Sequence, residues 1–256
     1  MSSRGLLPVA ILAGGLATRL YPLTETVPKA LIDVAGEPFI VHQLRLLRAN
    51  HVEHVVLCVG YLGEMIESAL ASQTFGLDVE FSYDGPRLLG TGGALKKALP
   101  LLGNNFFVLY GDSYLTCNFA QVQQTFFESG RKALMAVFRN DGHWDTSNVE
   151  FADGNIVAYD KTKRTPRMHH IDYGLGVFRK SAFDDVPACE QYDLAHLYAS
   201  LHAQRELAAY EVTDRFYEIG SQAGLSELRD VVKSTSARAG RARARRQARR
   251  GWSQDH

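Results

Sequence analysis

Apolar residues along the chain fall into two alternating spacings. Short runs of β-branched and aliphatic residues, PVAILA from Pro8, HVVLCV from His54, DVEFSY from Asp78 and FFVLY from Phe106, predict buried strands. Between them lie EPFIVHQLRLLRAN, GEMIESALAS and GGALKKALPLL, which read as amphipathic helices. That succession predicts an α/β fold with a mainly parallel sheet flanked by helices. In such sheets the ligand crevice lies outside the carboxyl ends of the strands, so the loops after Ala13, Tyr83 and Tyr110 are the ones to inspect.

The second half changes pattern. SNVEF and NIVAYD flank an Ala152-Asp153-Gly154 turn and predict a β-hairpin; with a strand at 174–178 it forms an expected small antiparallel subdomain. A helix in DLAHLYASLHAQ, a strand in ELAAYEVT and a last helix capped by Ser221 complete the domain, assigned to 1–232. No internal repeat is present. Residues 233–256 hold eight basic groups and one acidic, and are expected to be a solvated, disordered tail.

Charge and cysteine content narrow the classes. The net charge is zero, but 1–232 carries 20 basic against 27 acidic residues, which argues against a nucleic-acid coat. The odd, widely spaced Cys58, Cys117 and Cys189 fit reduced core residues better than a disulfide or metal framework. No stretch reaches the roughly 20 apolar residues of a membrane span, and no signal pattern opens the chain. The expected compartment is the cytoplasm, with no membrane partner; a homodimer is left open.

The densest chemistry lies in LAGGLATRLYPLTETVPKAL. After the strand end at Leu12 and Ala13, Gly14 and Gly15 allow close backbone approach to a phosphate or base, and Arg19 and Lys29 supply fixed positive charge. Such cations offset the repulsion between two phosphate-bearing substrates. The spelling is neither G-x-x-x-x-G-K-[ST] nor G-x-G-x-x-G. Asp112 follows the FFVLY strand and is suited to Mg²⁺, which takes a few hard oxygens and leaves the rest of its shell to waters and phosphates. Leu89-Gly90-Thr91-Gly92-Gly93 opens a helix, where backbone donors are expected to be free.

GG-x-x-TRL-x-PLT-x-x-x-PKAL, followed by DVAGEP, GYLGEMI, LGTGGAL, VLYGDS and FYEIGS, resembles the sugar-1-phosphate nucleotidyltransferase family over about residues 8–232. The resemblance implies a Rossmann-like, GT-A-like domain, a Mg²⁺ requirement, and attack of a sugar 1-phosphate on the α-phosphate of an NTP. It makes Asp112 and Glu218 the metal ligands, Glu218 standing for the usual aspartate. It assigns Leu12, Ala13, Gly14, Gly15, Arg19, Lys29, Gly90, Thr91 and Gly92 to the nucleotide, with Arg19, Lys29 and Asp112 as catalytic residues. On the sugar-phosphate side it points to Asn148, Asp160, Lys161, Tyr173 and Gly174. Ala17 replaces a loop glycine, Asp160 a glutamate, and the usual asparagine of the IDYGLG strand is replaced. The adjacent His169 and His170 are expected to be solvated and are given no chemistry.

In the reaction that the resemblance implies, the attacking group is an ionised phosphate oxygen, so the protein is expected to align rather than activate. Spelling and length are most similar to the heptose 1-phosphate guanylyltransferases, favouring GTP; uridylyltransferases of muramate or hexose 1-phosphates stand second. A non-catalytic nucleotide-sugar sensor has no need of the cations and the metal carboxylate together. A GT-A glycosyltransferase would carry Asp-x-Asp where this chain has Gly111-Asp112-Ser113.

Overall fold

The structure, a computed structural model, describes residues 5–15 and 20–235. In chain order the first half comprises β1 (Val9–Leu12), β2 (Asp33–Val34), β3 (Glu37–Pro38), α1 (Phe39–Ala49), β4 (His54–Val59), α2 (Gly63–Leu70), β5 (Asp78–Tyr83), α3 (Gly90–Leu102) and β6 (Asn105–Tyr110). Then follow β7 (Ser113–Leu115), α4 (Phe119–Ser129), β8 (Ala133–Arg139), β9 (Val149–Ala152), β10 (Asn155–Tyr159), β11 (His170–Arg179), α5 (Leu194–Ala203), β12 (Leu207–Val212), β13 (Phe216–Glu218) and a helix α6 over 222–235.

Strands β5, β4, β1 and β6 are parallel neighbours, with Leu12 aligned on both Cys58 and Tyr110. Period-two alternation explains the layers. Val9, Ile11, Val55, Leu57, Phe107 and Leu109 pack with Ile40 and Leu44 of α1 and Phe119 of α4. Their chain neighbours Ala10, Val56, Cys58, Phe106 and Val108 meet Leu95 and Leu102 of α3 and Tyr198 of α5 on the opposite face. Each fully buried large apolar side chain is worth about 1.5–3 kcal/mol, so both faces of the sheet must be covered.

The hairpin forms as expected: β9 and β10 are antiparallel and both turn residues, Asp153 (φ 51°) and Gly154 (φ 76°), are left-handed, as a tight primed turn requires. The expected strand at 174–178 is longer and belongs to the main sheet. β11 pairs antiparallel with β6 and β8, touching β9 only where His170 faces Val149. A register shift between Asp172 and Gly176, with Gly174 at φ 86°, lets one strand serve these neighbours in turn. The hairpin therefore continues the main sheet. His170, expected to be solvated, starts this strand buried and bonds Glu211 through Nε2 at 3.0 Å; His169 is exposed.

The last helix begins as expected, Ser221 Oγ accepting from the Gly224 amide at 3.0 Å. Leu225, Leu228 and Val232 pack with Leu20, Ile32, Val34 and Phe39, so α6 braces the segment that carries Lys29. The expected domain boundary at 232 falls inside α6, and residues 236–256 of the tail lie outside the described residues. Among the described residues no helix is long and apolar enough to cross a membrane.

Cys58 and Cys117 sit in the core, and burial pushes both thiols up to about 12; Cys189 is exposed. Because the thiolate is the reactive form, we expect an aromatic disulfide reagent at pH 8 to titrate one thiol in the native chain and three in denaturant. Rapid titration of two or more native thiols would contradict this packing.

Candidate active site

Two cavities open at the carboxyl ends of β1 and β6. The first, about 250 Å³, is lined by Leu12, Ala13, Gly15, Lys29, Thr91 and Gly111 among others. The second, about 390 Å³, includes Ser113, Asn148, Arg164, Asp172, Gly174 and Glu218. Three residues line both: Tyr110, Asp112 and Lys161. The carboxyl-end rule thus finds the site at β1 and β6. The loop after Tyr83 lines neither cavity; Asp84 there is buried and accepts from the Leu89 amide.

Lys29 Nζ lies 3.0 Å from Asp112 Oδ2, although the two are 83 residues apart. Pairing of β13 with β7 sets Glu218 opposite Ser113, and the Ile219 amide donates to the Asp112 carbonyl at 3.0 Å. The distant FYEIGS and LYGDS motifs thereby reach one cavity wall. Glu218 is braced: its carboxylate accepts from Ser221 Oγ at 2.6 Å and from the Gly220 amide. A carboxylate offers about four acceptor sites, so capacity remains. Two carboxylates on one wall, with lysines beside them, form a hard-oxygen donor set that fits Mg²⁺ with phosphate and water completing its shell. Among the described residues, one closely spaced trio with metal-ligand chemistry, His54, Asp78 and Glu80, lies at the amino ends of β4 and β5, away from this wall.

Several sequence expectations change in detail. Gly14 faces away from the cavity: a Cβ there would lie 3.0 Å from the Gly60 amide nitrogen, so its glycine serves contact between two loops. Gly15 lines the cavity, with open space beside its Cα among the described residues. Two of the amides in the first turn of α3 are not free. Those of Gly92 and Gly93 donate to the Tyr192 carbonyl at 2.8 and 3.1 Å, and Gly90 and Gly92 line neither cavity. Their glycines are required by packing, since Cβ atoms would meet Tyr192 at 2.8 and 2.7 Å. Thr91 does reach the first cavity, with its hydroxyl bonded to Leu194 and Asp193.

On the other side Asn148 and Lys161 line the second cavity. Asn148 Oδ1 accepts from the Asp172 amide, leaving Nδ2 without a partner among the described residues. Asp160 does not line it; Oδ1 accepts three bonds from Thr162 and Lys163, which hold its own turn and depress its carboxyl below the usual range. Tyr173 borders the cavity, but the residue is 1% exposed and its ring packs edge-on against Phe216, so its phenol is a core group. Gly174 lines the wall at φ 86°, where a Cβ would lie 2.9 Å from Ser113 Oγ. Arg19 lies outside the described residues.

Tyr110, Arg164 and Asp172 were not singled out from the sequence. Tyr110 had a signal, as the last residue of a buried strand immediately before Gly111-Asp112. Asp172 had another: a carboxylate inside an otherwise apolar strand.

The nucleotidyl transferase family matches residues 9–148. An N-acetylmuramate α-1-phosphate uridylyltransferase of Neisseria meningitidis is 30% identical over 231 residues, covering 87% of this chain and 96% of that protein. A D-glycero-α-D-manno-heptose 1-phosphate guanylyltransferase of Campylobacter jejuni is 26% identical over 211 residues, with 82% and 93% covered. The chain spans only 60% of the length of the Xenopus tropicalis mannose-1-phosphate guanylyltransferase catalytic subunit beta that it also matches at 28% identity. In fold it is similar to the crystal structure of HddC from Yersinia pseudotuberculosis complexed with GMP-PN, with a TM-score of 0.75 at 21% identity, covering 89% of this chain and all of that one. With the sheet order, the paired cavities and these likenesses together, the chain belongs to the nucleotidyl transferase family.

Proposed function

We propose that the chain catalyses Mg²⁺-dependent transfer of a nucleotidyl group from an NTP to a sugar 1-phosphate in the cytoplasm, releasing pyrophosphate, with GTP and a heptose 1-phosphate as the favoured pair. The observation that carries this reading is the wall shared by the two cavities, where Asp112 and Lys161 face both and Lys29 adjoins Asp112. A triphosphate in the first cavity and a sugar phosphate in the second would meet there. The Campylobacter relative and the guanine nucleotide analogue named with HddC support guanine and heptose.

In this reading Lys29, with Arg19, offsets the charge of the triphosphate and of the departing pyrophosphate. Lys161 orients the acceptor phosphate, and Asn148 Nδ2 donates to a sugar hydroxyl. Asp112 and Glu218 would hold Mg²⁺, which, when bound, supplies Lewis-acid polarisation of the phosphoryl oxygens. The acceptor phosphate needs no general base, so alignment and charge are the protein's main contribution.

A second reading, uridylyl transfer to an acidic sugar phosphate, draws on the Neisseria relative and on Arg164, which lines the acceptor cavity without an ion pair among the described residues. Pyrophosphate release should be measured with each of the common NTPs against heptose, mannose and N-acetylmuramate 1-phosphates, with Mg²⁺ or excess EDTA. Release with GTP and the heptose phosphate, lost in EDTA, is expected. Turnover confined to UTP and N-acetylmuramate 1-phosphate selects the second reading, and no release with any pair overturns both.

A further inference from the structure

Between the two cavities stands a group of three residues from different parts of the chain: Tyr110 at the end of β6, Lys161 just after β10, and Asp172 in β11. Tyr110 donates its hydroxyl proton to Asp172 Oδ2 at 2.7 Å, and the Gly174 amide donates to Oδ1 at 3.1 Å. Both carboxylate oxygens are thus engaged. Lys161 Nζ lies 5.4 Å from the centre of the Tyr110 ring and makes no ion pair within 4 Å among the described residues. Burial raises the Asp172 carboxyl above the usual range, and the charge of Lys161 is the strongest influence opposing it. The register shift in β11 between Asp172 and Gly176 occurs where the carboxylate joins the acceptor wall.

Resting on the nucleotidyl-transfer reading, we propose that Asp172 is a positioning residue for the acceptor: with its carboxylate held in direction by Tyr110 and Gly174, it attracts Lys161 to the boundary of the cavities without capturing it in an ion pair. The physical advantage is specific. A lysine already closed onto a carboxylate must break that pair before gripping a phosphate, whereas a lysine with no nearby charge of opposite sign has too little to hold it over the Tyr110 ring. One bond on each oxygen, from a phenol and an amide, fixes the direction of the carboxylate, so that it attracts Lys161 without closing onto it. The ring itself adds a weak cation–π hold.

The test uses the full chain and the sugar 1-phosphate that the wild type turns over. Asp172→Asn keeps the side-chain shape and removes the charge; Tyr110→Phe keeps the ring and releases the carboxylate to turn onto Lys161. Each should raise KM for the sugar phosphate about tenfold, as expected for loss of one charge-assisted contact, with KM for the NTP within about twofold. In a Lys161→Met background the further effect of either change should fall below about twofold, because the route through the lysine is gone. Where turnover is too slow, calorimetric titration of the same sugar phosphate into enzyme saturated with a non-hydrolysable NTP analogue supplies the comparison. An unchanged acceptor KM in Asp172→Asn, an equal rise for both substrates, or the full effect persisting in Lys161→Met would overturn the assignment while leaving nucleotidyl transfer intact. A wild-type chain inactive with every NTP and sugar phosphate would overturn both.

Discussion

Asp112→Asn is expected to lower kcat/KM about a thousandfold while leaving the fold in place, the scale of losing one preorganised electrostatic contact to the transition state. Asparagine preserves size and shape, so the β13–β7 ladder and the Ile219 amide bond to the residue-112 carbonyl remain available. What disappears is a negative oxygen at the only carboxylate that, among the described residues, both cavities share, together with the charge partner of Lys29. That ion pair is partly exposed, with side-chain accessibilities of 16% and 29%, and partly exposed pairs of this kind contribute no more than about 1 kcal/mol. Stability should therefore fall little as activity collapses. Paired measurements of pyrophosphate release and thermal unfolding separate the effects. A loss of activity below tenfold would show that Asp112 is not a metal-holding carboxylate.

Gly111→Ala should act in the opposite proportion, damaging the fold first. Gly111 follows β6 and donates to the Leu12 carbonyl at 3.1 Å. A Cβ there would sit 2.2 Å from that oxygen and 2.8 Å from the Leu12 carbonyl carbon, both backbone atoms of the central strand. Neither can swing aside like a side chain, so β1 and β6 must separate at their carboxyl ends. Overpacking of this severity costs about 3 kcal/mol, which for a domain of this size lowers Tm by roughly 6–12 °C. Because the same ends carry Ala13, Gly15 and Asp112, activity should fall with stability. Denaturation of the purified variant checks it, and a Tm within about 2 °C of wild type would contradict the strand spacing described.

The order of strands and helices was legible in the chain because it rests on local patterns. Two-residue and helical periodicities record which faces are buried, and turn residues such as Asp153-Gly154 record the backbone angles they permit. Lys29, Asp112 and Glu218 could be picked out as candidates for a related reason: each lies in a short, distinctively spelled segment. The membership of β11 in the main sheet was not legible. A run of alternating apolar residues states that it is buried but not which strands it pairs with, and its register shift depends on neighbours far away in sequence. The same limit explains Asp160 and Tyr173. Their motifs pointed to the second cavity, but side-chain direction was decided by the turn that engages Asp160 and by the aromatic packing that draws Tyr173 inward.

By itself, then, the sequence determined the α/β alternation, the location of the crevice at strand ends and the cations and carboxylates available to it. Tertiary structure decided which of these share a wall. It joined Lys29 to Asp112 across 83 residues, set Glu218 beside Ser113, and brought Tyr110, Lys161 and Asp172 to one boundary. The physical reason is that backbone preference and burial act over a few residues, whereas hydrogen bonds and electrostatic coupling depend on distance in space, which only the packed sheet supplies.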